Sequence, residues 1–362
     1  MKLPIDLKAV IEAATDIESA RNTPVSVSVL IDDSAPGDVA AHVRSAFVGA
    51  GAHARVTVGY FAGPAFSPYE GDDMAVIVAG FSEEVGRRAA EIRAAGVPVM
   101  VVTSMPRLVA DMASAYGNPI PEGDLVAPEG VEGCEADGDA ACESGEVAGA
   151  NAQSPETLDA PIPIDAAAAA ALDCRMGEWV VAACREKRLA LALSFPFVRR
   201  PLSLEAVSAT SLQNAGIGLV LFIPGADMPL MTLNQAKMLL QIAAAYGEPM
   251  SVARVKELAA IVGGAFACRS VARQVAGAVP AIGWAVKAGV GYAGTKAMGL
   301  AAVEYFERGG NIAGLAGVVS TATAKATQIA GDVAATPAGA RVLSTVKTAV
   351  RQGAASVLKK TE

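Results

Sequence analysis

Three carboxylates follow directly after the first apolar, strand-like run of the sequence. Asp32, Asp33 and Asp38 lie in the segment DDSAPGD, behind the alternating run VSVSVLI. In α/β proteins a loop at this position is the usual phosphate site, because glycine-rich backbone and a helix N-terminus present N–H groups there. A phosphate-binding loop reads G-x-x-x-x-G-K-[ST], whereas this loop has one glycine and no lysine. Each like charge near 4 Å would cost a phosphate about 4 kcal/mol, so we predict no phosphate binding here.

The same acids suggest a second chemistry, because carboxylates after a first strand hold magnesium in some phosphotransfer and hydrolase domains. Asp32 and Asp33 would be the ligands, and Thr103 would lie beside them at the end of a later strand. Such domains also need an acceptor aspartate or a lysine at a neighbouring strand end, and no lysine stands between Lys8 and Lys187. We therefore predict no metal, no cofactor and no catalytic residue. Magnesium-dependent phosphotransfer or hydrolysis at Asp32 and Asp33 is the alternative.

Other catalytic patterns are missing from the sequence. It has no G-x-S-x-G or H-E-x-x-H motif, and neither His42 nor His53 has an evident nucleophile partner. The five cysteines show no C-x-x-C spacing, which argues against a zinc ribbon, and we expect them to be unpaired, small residues. We expect a protein that is not an enzyme and has no identifiable small-molecule substrate.

Strand-like and helix-like patterns alternate along the first third of the chain, up to residue 128. Apolar, β-branched runs predict strands at 25–31, 54–61, 74–80, 97–104 and 124–128. After Pro163 the patterns are helical, and Thr232 and Gln235 have the S/T-x-x-Q spacing of a capping box, which predicts a helix start there. We therefore predict a doubly wound, mainly parallel, Rossmann-like α/β domain followed by a helical bundle domain.

Charge is distributed unevenly along the chain. Residues 118–164 carry 11 acidic and no basic side chains, which predicts a flexible acidic loop over 129–160. Residues 254–362 carry 13 basic and 5 acidic side chains, a net charge of +8, although the whole chain has −8. The predicted organisation is an α/β domain at 1–128, the acidic loop at 129–160, a helical domain at 161–310 and basic C-terminal helices at 311–362.

An apolar segment near the C-terminus carries the basic charge of the helical region. Residues 258–303 contain no acid and four bases, namely Arg269, Arg273, Lys287 and Lys296. A basic surface rich in small residues suits an anionic bilayer or a partner helix bundle. Aromatic residues make up 5% of the chain, too few for a nucleic-acid stacking surface. We predict that these four residues form a membrane or partner face.

The N-terminus indicates where the protein resides. The first ten residues include Asp6, and no small-residue cleavage site follows them. We expect no export and a cytoplasmic location, attached to the inner membrane or inserted in it. Lys287 and Lys296 interrupt the most apolar stretch, so a buried bundle helix and a membrane helix both stay open.

A series of markers extends through the helical region over nearly a hundred residues. In order, they are Asn214-Ala215, Pro224 to Pro229, Leu233, Gln235, Met238, Tyr246-Gly247, Gly263-Gly264, Arg269, Arg273, Pro280, Gly283, Gly294-Thr295 and Tyr305-Phe306. With these markers the stretch 214–309 resembles a bacterial family known as domain of unknown function 697. Members of that family often follow a GTPase domain and also occur in inner-membrane proteins, and the family carries no known activity.

The resemblance implies that the α/β domain stands where a GTPase domain would stand. Both diagnostic GTPase sites differ here: the phosphate loop is absent, and Thr103-Ser104-Met105-Pro106 stands in place of the guanine-reading Asn-Lys-x-Asp. The domain therefore looks like a degenerate, GTPase-like scaffold without nucleotide chemistry, and an atypical GTPase is a further alternative.

The resemblance also directs attention to one turn of the helical domain. The segment IPGADMP supplies Pro224, Gly225, Asp227 and Pro229, which together with Gln235 form the candidate functional turn. Asp227 equally suits the cap of the following helix. We expect a non-enzymatic protein that binds a membrane or a partner through its helical half.

Overall fold

The computed structural model describes residues 7–51, 53–62, 71–128, 161–220, 227–262 and 283–322. The chain divides into two compact units, which we call the sheet unit (Ala20–Leu202) and the helical unit (Met1–Ser19 with Ser203–Glu362). The predicted acidic loop at 129–160 and the predicted helices beyond residue 322 lie outside the described residues. The four predicted domain ranges stay a prediction.

One sheet organises the described part of the sheet unit. Its strands are β1 (Val25–Ile31), β2 (Ala54–Tyr60), β3 (Met74–Val78), β4 (Val99–Val102) and β5 (Leu125–Val126). They lie in the order β2-β1-β3-β4-β5, and every neighbouring pair is parallel. The predicted α/β architecture with a parallel sheet is therefore confirmed. Every side chain of β3 and β4 is buried, which explains why both strands are apolar at each position.

The strand order sets the place where such a sheet meets a ligand. From β1 the chain goes to β2 on one side and then to β3 on the other, so the order reverses between β1 and β3. Doubly wound sheets bind ligands in the crevice at this switch point, outside the carboxyl ends of the strands. The residues that follow Ile31 and Val78 are therefore the first place to look for a site.

Helices occupy most of the remaining described chain. They are α1 (Leu7–Arg21), α2 (Gly37–Val48), α3 (Glu84–Ala94), α4 (Pro106–Ala115), α5 (Ala166–Ala183), α6 (Arg188–Ser194), α7 (Pro196–Val220), α8 (Asp227–Ala245), α9 (252–262), α10 (Gly283–Glu307) and α11 (315–322). One apolar core lies between the sheet and the helices α3 and α4, and it includes Leu30, Ile77, Val101, Ile92 and Val109.

The helix ends follow local rules, with one exception. Asp165 caps α5 by accepting a hydrogen bond from the Ala168 N–H (2.8 Å), and Gly247, with φ of +88°, follows α8 as a left-handed C-terminal residue. The capping box predicted at Thr232 and Gln235 is wrong, because α8 begins at Asp227. Both side chains are buried within that helix, so they pack against neighbours and do not cap a terminus.

Two cysteines differ in state. Cys184 is free and buried, as we expected for all five. Cys174, on α5, is disulfide-bonded, and its partner lies outside the described residues, so the expectation of unpaired cysteines is wrong for this residue. Disulfide pairing depends on which thiols meet in space, and spacing along the sequence does not give that information.

Candidate functional site

The carboxylate of Asp32 lies at the switch point of the sheet, immediately after β1. Its side chain is buried, and it accepts four hydrogen bonds. Oδ1 accepts from the Ser34 N–H (3.0 Å). Oδ2 accepts from the Ser34 hydroxyl (2.9 Å), the Gly80 N–H (2.9 Å) and the Ser82 N–H (3.2 Å). Asp32 thus joins the loop after β1 to the loop after β3, across the position where a ligand would enter.

Backbone packing closes the same crevice. A side-chain carbon added at Gly80 would lie 2.3 Å from the Ser34 carbonyl carbon and 2.4 Å from the Ala35 nitrogen. Those atoms belong to the main chain and cannot turn aside, so only glycine fits there. The Ser34 hydroxyl also accepts from the Phe81 N–H (2.7 Å). The two loops are therefore in direct contact.

A backbone anion site consists of amide N–H groups that converge on a negatively charged ligand. Here the amides of Ser34, Gly80 and Ser82 converge on a carboxylate that belongs to the chain itself. The sequence predicts no phosphate binding at this loop. It did not indicate that the amides are present and already bonded to Asp32, because Gly80 and Ser82 come from a different loop.

The other two acids of the loop also bond to backbone. Asp33 is exposed, and its Oδ2 accepts from the Ala62 N–H (2.7 Å). Asp38 lies in the first turn of α2 and accepts from the N–H groups of Val39 (2.8 Å) and Ile164 (3.1 Å). In the ranges that the structure describes, no group of three or more His, Cys, Asp or Glu side chains could hold a metal ion. Asp32 and Asp33, the two ligands of the magnesium alternative, each accept hydrogen bonds from backbone N–H groups.

The residues after β4 form a turn. Thr103 is fully buried, and its hydroxyl accepts from the Met105 N–H (3.1 Å), just before α4 begins. The Ser104 carbonyl accepts from the Ile162 N–H (3.1 Å). The Ser104 hydroxyl is buried and has no hydrogen-bond partner among the described residues. Thr103 is therefore engaged within its own turn.

The candidate functional turn is only partly described. Pro224 and Gly225 lie outside the described residues. Asp227 is the first residue of α8, with a side chain that is not described, and Pro229 is exposed in the first turn of that helix. Gln235 is buried two turns further along. Among the described residues of the candidate turn, Pro229 is exposed and Gln235 is buried, so the two lie in different environments.

Gln235 belongs to a buried polar network that joins α7, α8 and α10. At its centre is the hydroxyl of Thr295, which donates to the Gly291 carbonyl (2.7 Å) and accepts from Gln235 Nε2 (2.8 Å) and Asn214 Nδ2 (3.0 Å). Asn214 Oδ1 in turn accepts from Asn234 Nδ2 (3.1 Å). Asn214, Gln235 and Thr295 are each at most 2% exposed.

This network cannot perform acid–base catalysis, because the residues that form it carry only amide and hydroxyl groups. It can fix the relative register of three helices, since each buried donor needs its acceptor. Three of its members, Asn214, Gln235 and Thr295, are also markers of the family resemblance. These residues stand up to 81 positions apart in the sequence, so the sequence alone did not predict that they are in contact.

Replacing Thr295 with valine is expected to lower the free energy of unfolding of the helical unit by about 2 kcal/mol. Valine keeps the shape but removes the Thr295 hydroxyl as an acceptor for the amides of Asn214 and Gln235, and Asn214 Nδ2 keeps its longer bond to the Met231 carbonyl (3.4 Å). Thr295→Ser, the matched control, keeps the hydroxyl and loses one methyl group, at a cost of about 1 kcal/mol. Urea denaturation followed by circular dichroism measures both. Equal losses for the two variants would contradict the structural role of the hydroxyl.

Of the four residues of the predicted basic face, the structure describes the side chain of one. Arg269 and Arg273 lie outside the described residues, and Lys287 lies on α10 with a side chain that is not described. Lys296 is exposed on α10. Among the helices that the structure describes, none is both long and apolar enough for a membrane crossing.

A second polar cluster, at the amino ends of β1 and β3, was not predicted. Asp72 is buried and accepts from the hydroxyls of Ser26 (2.6 Å) and Ser28 (2.5 Å). Asp73 accepts from the Ser26 N–H (2.9 Å) and pairs with Lys187 (2.7 Å). The signal in the sequence was the pair of serines at alternate positions of an otherwise apolar strand.

The free thiol of Cys184 lies beside this cluster, with Sγ 3.8 Å from the Asp73 carbonyl oxygen. Burial, and to a lesser extent the charge of Asp73, raise the pKa of Cys184 to about 12. The thiol is therefore protonated at neutral pH and is a weak nucleophile. The cluster fastens the segment after α5 to the sheet and offers no activated group.

His42 has a partner that the sequence did not suggest. Its Nε2 lies 2.8 Å from Asp173 Oδ1, and the two side chains are 20% and 39% exposed. The pair connects α2 with α5 inside the sheet unit. A carboxylate beside an imidazole is also an arrangement found in catalytic triads, but within the described ranges His42 makes no hydrogen bond to a Ser or Cys side chain.

Comparison of the chain with protein-family models, with curated protein sequences and with solved structures finds no match.

Proposed function

We propose that this chain is a non-enzymatic binding protein. Its sheet unit is a GTPase-like scaffold without nucleotide chemistry, and its helical region attaches it to the cytoplasmic face of the inner membrane or to a partner helix bundle. The strand order, with its switch point between β1 and β3, is compatible with a scaffold of the nucleotide-binding α/β type.

The observation that carries the proposal is the carboxylate of Asp32. It accepts from the amides of Ser34, Gly80 and Ser82, and those amides would otherwise be available to a phosphate. A phosphate entering the crevice would displace a bonded carboxylate and meet its charge at short range, which costs about 4 kcal/mol near 4 Å. The close packing of Gly80 on the main chain of Ser34 and Ala35 holds the two loops together at this position.

Isothermal titration calorimetry with GTP and GDP in the presence of magnesium tests this proposal on the full chain. We expect no saturable binding, that is, a Kd weaker than about 1 mM. Chromatography of nucleotides released by denaturing the purified protein is the control for ligand that was retained during purification. Saturable binding below about 100 μM, or guanine nucleotide released from the protein, would contradict the proposal.

The magnesium alternative can be tested on the same purified protein. Magnesium bound to Asp32 and Asp33 would raise the melting temperature by mass action, and the double variant Asp32→Asn with Asp33→Asn would lose that rise. We expect magnesium to leave the melting temperature of the unmodified protein unchanged. A rise that disappears in the double variant would favour the alternative.

The attachment of the helical region rests on its charge. Residues 254–362 have a net charge of +8, and Lys296 of the predicted face is exposed. Each lysine near an anionic membrane contributes about 1 kcal/mol to binding. Cosedimentation with vesicles that contain anionic lipid, compared with phosphatidylcholine vesicles, separates the two attachments. Binding to neither kind of vesicle would remove the membrane and leave the partner bundle.

A further inference from the structure

Residues 161–165, which we call the strap, lead into α5 and connect two loops at the carboxyl end of the sheet. The Ile162 N–H donates to the Ser104 carbonyl (3.1 Å), in the loop after β4. The Ile164 N–H donates to Asp38 Oδ2 (3.1 Å), in the first turn of the helix that follows β1. Because β3 lies between β1 and β4, a segment bonded to both loops spans the switch point.

The side chains of the strap alternate between two environments. Ile162 and Ile164 are half-buried, whereas Pro161, Pro163 and Asp165 are exposed. The prolines have no N–H to donate, and the Asp165 N–H bonds within the strap, to the Pro163 carbonyl (3.0 Å). Among the described residues, the two isoleucine amides therefore make the recorded hydrogen bonds from the strap to the loops. A segment with so few bonds and little buried apolar surface opens at low free energy.

The loop beneath the strap contains a polar group that favours opening. The Ser104 side chain is 1% exposed, and its hydroxyl has no hydrogen-bond partner in the part of the chain that the structure describes. Burying a hydroxyl without a partner is unfavourable, and water would satisfy it. The carbonyl of the same residue holds the strap. We therefore expect water to reach the Ser104 hydroxyl when the strap leaves.

The far end of the strap is anchored, which limits how much of the chain would move. Asp165 caps α5, and the first buried residue of that helix is Leu172. The next residue, Asp173, pairs with His42 of α2 (2.8 Å). The helix is thus fixed to the sheet unit from Leu172 onwards, and the strap can open without releasing α5.

We propose that the strap is a gate over the switch point, which opens and closes as one unit while the sheet and α5 stay folded. The carboxylate of Asp38 favours the closed state, and the Ser104 hydroxyl favours the open state. Opening exposes Ile162 and Ile164 and hydrates Ser104, and it leaves the hydrogen bonds of Asp32 in place. The proposal does not depend on the function proposed above.

Hydrogen–deuterium exchange of the full chain, followed by mass spectrometry with fragmentation, tests the gate. Since proline has no amide hydrogen, the strap contributes only the amides of Ile162, Ile164 and Asp165. We expect the two isoleucine amides to exchange at least about 100-fold faster than the amides of β3, and at least about tenfold slower than in an unfolded chain. Exchange at the rate of β3 would mean that the strap opens only on global unfolding, and unprotected exchange would mean that it is never closed. Either result would overturn the proposal.

Asp38→Ala tests whether the strap moves as one unit. The change removes the acceptor of Ile164, so we expect both isoleucine amides to exchange about tenfold faster, including Ile162, whose own acceptor is intact. Asp33→Ala is the matched control, because this exposed carboxylate of the same loop bonds to a residue outside the strap. Acceleration of Ile164 alone, or equal acceleration by Asp33→Ala, would contradict a gate held by Asp38.

Ser104→Ala should act in the opposite direction. It removes the unpartnered hydroxyl and keeps the carbonyl that accepts from Ile162, so the open state loses its advantage. We expect both isoleucine amides to exchange about tenfold more slowly. Circular dichroism verifies that each variant is folded. Unchanged or faster exchange in Ser104→Ala would contradict the role assigned to the hydroxyl and overturn the proposal.

Discussion

Replacing Asp32 with alanine is expected to lower the free energy of unfolding of the sheet unit by about 4 kcal/mol. The change removes the acceptor of four hydrogen bonds. Hydrogen bonds to a charged group contribute more than neutral ones, and a buried amide left without an acceptor, here that of Gly80, costs about 1–3 kcal/mol. Urea denaturation measures the loss through the fluorescence of Trp179 on α5, in a Trp284→Phe background.

The control for this prediction is Asp33→Ala, in the same loop. Asp33 is exposed and its recorded hydrogen bond is to Ala62, so we expect a loss below about 1 kcal/mol. If the two alanine variants were equally stable, Asp32 would not be the residue that closes the switch point.

Gly80→Ala is expected to cost about 3 kcal/mol, through overpacking. The new methyl carbon would lie within 2.4 Å of main-chain atoms of Ser34 and Ala35. One of the two loops must move, and that movement lengthens the hydrogen bonds to Asp32. The same urea denaturation measures the effect.

Gly37→Ala is the matched control for the methyl group itself. Nothing lies within 4 Å of a side-chain carbon added at Gly37, which begins α2. Alanine there is expected to change the stability by less than about 1 kcal/mol, because it favours the helix and restricts the unfolded chain. A similar loss at both glycines would show that the contact at Gly80 does not limit the packing.

The strands were predictable from the sequence because their apolar, β-branched residues indicate burial in a sheet. The run VSVSVLI gave β1 at 25–31, and the wholly apolar MAVIV gave β3. For β4 the prediction of 97–104 was longer than Val99–Val102. Val97 before the strand, and Thr103 and Ser104 after it, are buried too, so burial alone does not mark where the strand ends.

Contacts between distant residues were not predictable. Thr232 and Gln235 satisfied the local rule for a helix start, but Gln235 is bonded to Thr295, 60 residues away. The same holds for Asp72 with Ser28, 44 positions apart, and for Asp32 with Gly80, 48 positions apart. A single sequence shows which polar residues stand in apolar surroundings, and the tertiary fold decides which of them meet.

Asp32 has a consequence for how the sheet unit responds to its surroundings. A free ligand stabilises a fold in proportion to the logarithm of its concentration, so proteins that need one weaken when supply falls. The carboxylate of Asp32 is part of the chain, so its effective concentration beside the amides that it accepts from is constant. The stability that Asp32 contributes to the sheet unit should therefore not depend on the concentration of a free ligand.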